Sequence, residues 1–170
     1  MPSKNLAILL CASSIAVLAQ APQPPSPEQT AKAAANAAFT AETTREKAGD
    51  CPNASTTFAI NQCLGKEAEI TDANYKVFTA SLRAMLAAYP STDPPAQGPT
   101  GPEATAETAT SAFDAAETAW QAYRKAECNA VDVLWRGGTI VNSMVGYCWL
   151  RVTRSRMHEL NDAYDPSSHR

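Results

Sequence analysis

Residues 113–135 read FDAAETAWQAYRKAECNAVDVLW, and the spacing of the large side chains in this stretch decides the fold class. Phe113, Ala116, Trp120 and Tyr123 recur at steps of three, four and three, and the pattern continues through Val131, Leu134 and Trp135. That is the period of a helix with one apolar face. Gly137-Gly138 stops it. Upstream, Phe78, Leu82, Met85 and Tyr89 step by four, three and four, preceded by Ile60, Cys63 and Ile70, until Pro90 ends the run. Residues 90–102 hold five prolines and two glycines, a loop no helix crosses, so the second helix is expected from Glu103. Downstream, Leu150, Thr153, Met157, Leu160 and Tyr164 form a third stripe, and Pro166 follows its end. Nowhere does a period of two persist. The expected class is all-α, a small antiparallel helical hairpin or three-helix bundle.

The N-terminal third reads differently. Lys4 followed by the apolar run Leu6 to Leu18 has the form of a secretory signal, too short to span a bilayer, with cleavage expected after Ala19. Residues 20–50 are expected to be a Pro/Ala-rich linker carrying an Ala-rich helix. Four prolines between Gln20 and Pro27 make its start extended; Ser26 then caps a helix with Pro27 in the first turn and Gln29 completing a capping box, and Gly49 closes it after Ala48. Apart from alanine its only apolar side chain is Phe39, so it reads as a spacer with little to bury. The packed domain is expected over residues 51–165.

A length of 170 residues suits one domain, and 45% hydrophobic with 18% charged residues excludes a disordered chain. A net charge of -3 argues against nucleic acid as a partner. Cys11 leaves with the signal, and Cys51, Cys63, Cys128 and Cys148 remain, an even count that reads as two disulfides in an oxidising compartment. Neither Cys-x2-Cys spacing nor a histidine-rich cluster supports a zinc site, so no metal or cofactor is expected. Placed on one helix, Cys51 and Cys63 would stand about 18 Å apart, beyond disulfide reach. Counting equal steps from the Pro-rich turn sets Cys63 opposite Cys128, which leaves Cys51 with Cys148; Cys51–Cys128 with Cys63–Cys148 stays open if the helices slide by about three turns. With both staples at one end, the Pro-rich end is expected to be the looser one.

Asp50-Cys51 with Asn61-Gln62-Cys63, Thr71-Asp72-Ala73-Asn74-Tyr75, the run Ala119 to Cys128 with its Trp-x2-Tyr-Arg-x3-Cys pattern, Gly137-Gly138-Thr139, and Cys148 with Thr153, Arg156 and Leu160 together resemble the LprI-like lysozyme inhibitor family. The resemblance runs from about Cys51 to Leu160. It implies an exported, helical, disulfide-bonded domain in which Asp72, Tyr75, Trp120, Tyr123 and Arg124 are structural motif residues. For the family's characterised member, an envelope lipoprotein, it implies inhibition of lysozyme. This chain shows no lipid-attachment motif, so a periplasmic or secreted protein with lysozyme as partner is expected; the alternative is an envelope scaffold module with another protein or a glycan partner.

Between Cys51 and Gln121 eight acidic residues face three basic ones, and from Ala122 to Arg170 five face seven. This polarity makes the first hairpin a candidate for meeting a basic protein. Arg136, Thr139, Asn142 and Ser143, in the stretch from Arg136 to Gly146, form a candidate loop for a carboxylate-bearing cleft. Trp120 and Arg124, four apart, are positioned for a cation–π contact, with Arg124 expected to pair with a carboxylate such as Asp72. Arg151, Arg154 and His158 share one face of the last helix, solvated or open to an anionic surface. Asn53-Ala54-Ser55 fits a glycosylation acceptor but is too short a pattern to carry weight. No Ser or Cys has an arguable base partner, so catalysis is not expected.

Overall fold

A computed structural model describes residues 23–88 and 108–164. The signal segment, the Pro-rich stretch 90–102 and the expected start at Glu103 lie outside the described residues. Four helices run in alternating directions: α1 Pro27–Ala48, α2 Thr57–Ala88, α3 Ala109–Trp135 and α4 Val141–Tyr164. No strand occurs among the described residues. α2 and α4 are the central pair, with α1 packed along one side and α3 along the other. Gly146 permits the close approach of the central helices, since a Cβ there would lie 3.1 Å from the Cβ of Leu64.

The caps follow local chemistry. Ser26 accepts from the Gln29 N–H at 3.1 Å while the Gln29 side chain accepts from the Ser26 N–H at 2.9 Å, the reciprocal box expected at the start of α1. Gly49, at φ 81°, closes that helix. Thr56 caps α2 through Ala59 N–H at 3.2 Å, and Thr108 caps α3 through Ser111 N–H at 3.1 Å.

α1 is not a spacer. Ala35 and Ala38 are buried against Phe78, Leu82 and Leu160, and the Phe39 ring stacks on Phe78 at 5.7 Å. Small side chains bring this helix close to α2, and Glu42, 1% exposed, is its largest buried side chain. A hydropathy stripe undervalues both.

The apolar core lies where α2 ends and α3 begins: Tyr75, Phe78, Leu82, Phe113, Met157 and Leu160, with Ala35 and Ala38. The stripes on α2 and α4 point inward largely as their spacing implies, except that Thr71 rather than Ile70 is buried on α2. On α3 the buried face is rotated by one residue: Glu117 is buried and Arg124 mostly covered, whereas Ala116, Tyr123 and Leu134 are exposed. Each inward charged side chain has a partner, which removes the penalty that would otherwise turn it outward.

Both expected disulfides are replaced by sequential pairs. Cys51 bonds Cys63 with Cα atoms 5.9 Å apart, and Cys128 bonds Cys148 with Cα atoms 5.6 Å apart. The 18 Å objection assumed that Cys51 is helical. It lies before α2 with φ 56°, and its segment folds back over the first turns of that helix. Cys128 and Cys148 stand ten residues either side of Gly138, in register across the short α3–α4 turn rather than the Pro-rich one. The staples therefore fix the 49–56 segment to α2 and α3 to α4.

Candidate functional site

The turn between α3 and α4 projects as a tip. Arg136 caps α3, its N–H reaching the carbonyl of Val133, and Gly138 N–H reaches that of Trp135. α4 already starts at Val141, so the expected loop Arg136–Gly146 is shorter: Asn142, Ser143 and Gly146 are helical. Arg136, Thr139 and Asn142 are exposed together on the tip. Ser143 is buried and hydrogen-bonds Asn61 Oδ1 at 2.6 Å, which makes it a tie between α4 and α2. Arg136 pairs with Asp132 at 3.0 Å on the surface, a contact of small energy that a stronger partner can replace.

Around these polar groups stand side chains that the sequence stripe had assigned to the interior or left unassigned. Val133, Leu134, Trp135, Ile140 and Tyr147 are all exposed, Leu134 at 77%. Trp135, Met144 and Tyr147 also line a groove of about 500 Å³ together with Glu46, Asp50 and Arg151. A concentration of large apolar groups at one end of a small helical domain makes that end the candidate interaction surface.

Two ionic networks stiffen the bundle behind this tip. The Glu42 carboxylate accepts from Thr71 at 2.7 Å and Arg154 Nε at 2.8 Å on one oxygen, and from Arg45 at 2.6 Å and Asn74 at 2.8 Å on the other. Arg154, 5% exposed, extends its two Nη atoms to Asp50 at 2.8 and 2.9 Å. The basic face expected from Arg151, Arg154 and His158 is thus broken up: Arg154 is interior, Arg151 pairs with Glu127 and His158 meets Glu46. Burial alone would raise the Glu42 pKa, but the hydrogen bonds from Thr71, Arg154 and Asn74 and the charge of Arg45 outweigh it and hold the carboxyl below the usual glutamate range. In the second network Tyr75 donates to Glu117, which also accepts from Arg156 at 2.8 Å. Burial, that hydrogen bond and the Glu117 charge push the phenol well above its ordinary value, so it stays a donor.

Of the motif residues, Asp72, Tyr75, Trp120 and Arg124 come together. Arg124 Nη1 lies 2.7 Å from Asp72 and 3.0 Å from Thr153, with the guanidinium 4.8 Å from the Trp120 ring centre and 4.7 Å from that of Trp149. Tyr123 points outward instead. The acidic excess of the first hairpin is largely consumed internally: Glu67 pairs with Arg45, Asp72 with Arg124 and Lys76, Asp114 with Arg83, and Glu117 with Arg156. Asp93, Glu103 and Glu107 lie outside the described residues. Among the described residues no group of three His, Cys, Asp or Glu is placed to hold a metal ion, and no helix is long and apolar enough to cross a membrane.

A family model described as "Lysozyme inhibitor LprI" matches residues 48–160, from the last residue of α1 through the last buried leucine of α4. No curated protein and no solved structure matches the chain. The matched span holds both disulfides, the Asp72–Arg124 pair and the whole tip, and the chain belongs to the LprI lysozyme inhibitor family.

Proposed function

We propose that the protein is exported to the periplasm or the medium and inhibits lysozyme, with the α3–α4 tip entering the substrate cleft. The family match carries this reading. The tip suits it chemically: Leu134, Trp135, Ile140 and Tyr147 supply an apolar centre, and Arg136, Thr139 and Asn142 a polar rim. That is the anatomy of a protein interface built around a few large anchors. Lysozyme catalysis depends on two carboxyl groups flanking the scissile bond, and Arg136, freed from Asp132, is the donor placed to meet one of them. The Cys128–Cys148 staple holds the two helices that present the tip, which limits the ordering cost of binding. Two disulfides and the leader-like N-terminus support export. A scaffold module would be favoured by a spacer helix holding the domain off an attachment, and α1 packs into the bundle instead.

A cell-lysis turbidity assay of the purified oxidised protein against c-type, g-type and i-type lysozymes tests the activity. Inhibition of at least one class is expected. Leu134→Asp, and Arg136→Ala combined with Asn142→Ala, should each raise the concentration for half inhibition by more than about tenfold, as expected for central interface residues. No inhibition at micromolar excess sinks the reading, and full inhibition by both tip variants moves the interface elsewhere.

A further inference from the structure

On the face formed by α2, α3 and α4, a cleft of about 400 Å³ is lined by Ala68, Glu69, Asp72, Arg124, Trp149 and Thr153. Its volume falls within the roughly 300–1,000 Å³ of small-molecule sites. Arg124 is unusual within it. Its guanidinium is held between the Trp120 and Trp149 rings and makes both of its hydrogen bonds through Nη1. Nε is buried with no hydrogen-bond partner, and Nη2 has none among the described residues. Glu69 is exposed at the rim with no ion pair among the described residues. With Nε enclosed, Nη2 is the donor this arginine has to spare, and it stands beside carboxylates with spare acceptor sites.

The charge balance selects the ligand class. Asp72 and Glu69 are offset by Arg124 and by Lys76, which sits 3.4 Å from the second Asp72 oxygen. An anion would meet two carboxylates, and a cation would meet Arg124 with both carboxylates of the lining, one of them already paired with Arg124 and with Lys76 from outside the cleft. A neutral polyol meets neither penalty, and the adjacent Arg124 and Asp72 groups offer donor and acceptor side by side, as two neighbouring ring hydroxyls require. The indole of Trp149, one face of which carries the Arg124 guanidinium, also lines the cleft and adds apolar surface for the C–H groups of a sugar ring. We infer that this cleft is a saccharide-binding site, taking a neutral pyranose with its hydroxyls on Asp72, Arg124 and Glu69 and its ring against Trp149. The site is separate from the tip and does not depend on lysozyme inhibition.

Titration of the oxidised protein with chitotriose, maltotriose and inorganic phosphate, followed by the tryptophan indole N–H signals in NMR, tests the inference. Saturable shifts at Trp149 are expected with at least one trisaccharide, at a Kd of about 1 mM, and none with phosphate. Glu69→Ala, at an exposed position, should weaken binding by about threefold or more, and Ala68→Trp, which fills the cleft, should abolish it. Unfolding midpoints establish that both variants are folded. No saturable change with either sugar up to about 20 mM, phosphate binding at the same signals, or sugar binding that survives Ala68→Trp would overturn it.

Discussion

Where α2 ends and α3 begins, Phe78, Leu82, Phe113, Met157 and Leu160 close over one another with two alanines of α1, whereas at the opposite end the buried apolar cluster is only Cys128, Cys148 and Val152. Leu64 and Leu150 are buried outside that cluster, Val131 and Trp149 pack half-buried against it, and Leu134, Trp135, Ile140 and Tyr147 face outward. That second end is held by both disulfides and by the Glu42–Arg154–Asp50 network. Covalent and ionic ties substitute for apolar burial where the apolar side chains are presented to the exterior. The Pro-rich end, expected from the staples alone to be the looser, has the larger apolar core. Side chains exposed at the α3–α4 turn cannot also form a dry core, so that end relies on the other ties.

The strongest way to break this contrast is to truncate the central group at each end. Phe78→Ala removes a fully buried ring and should lower stability by about 3–5 kcal/mol. Arg154→Ala should cost a similar ~3–5 kcal/mol for the opposite reason, since Glu42 and Asp50 lose a buried countercharge. Urea unfolding followed by circular dichroism measures both. A change under about 1 kcal/mol at Arg154 would mean that the polar end is not held by its ion pairs. Next in size, replacing Cys128 and Cys148 together by Ala opens a loop with a sequence separation of 20 and should cost about 3 kcal/mol in the chain-entropy account. Amide exchange should then quicken around residues 124–150 and stay slow around Phe78 and Met157. Equal quickening at both ends would show one cooperative unit.

Much of this contrast was legible in the sequence, and the unread parts share a physical cause. Phe78, Leu82, Met157 and Leu160 announce themselves through helical spacing, and Ser26 with Gln29 through capping chemistry. On α3 the buried line runs Phe113, Glu117, Trp120, Arg124 and Cys128, which is equally helical, but hydropathy rejects a glutamate and an arginine whose partners lie on other helices. Burial of a charge is decided by its partner, and a single stripe carries no information about that. The Cys51–Cys63 pair had a local signal: Cys51 precedes Pro52, and a residue before proline is disfavoured in a helix. That removes the assumption on which the 18 Å separation rested. The α3–α4 turn is shorter than the sequence suggests. Arg136, Thr139 and Asn142 are on the tip, but the outward turn of Leu134 depends on α4 beginning at Val141, which leaves no helix to cover it.

Acid gives the subtlest test, because Glu42, the buried carboxylate it titrates, lies in the network of one end. Glu42 is held below the usual glutamate range in the folded protein, so the unfolded chain binds its proton at a higher pH than the folded one. The stability it contributes is complete above the ordinary glutamate value of about 4.3 and is lost as pH falls from there toward the lower folded value. Asp114, lowered by its hydrogen bonds from Arg83, adds an exposed pair of small energy in the same direction. Between about pH 4.5 and pH 2 the network end should therefore lose exchange protection before the Phe78 cluster does, since apolar contacts make up most of that cluster and only Tyr75 of it meets a carboxylate, Glu117. Glu42→Gln keeps the shape and removes the titration. It should be less stable than the parent at pH 7, where Arg154 and Arg45 lose part of their countercharge, and its stability should fall less steeply with acid. Parallel pH profiles for the two proteins would assign the acid sensitivity to other carboxylates, and the Glu42 network would then count as packing rather than as the electrostatic tie of that end.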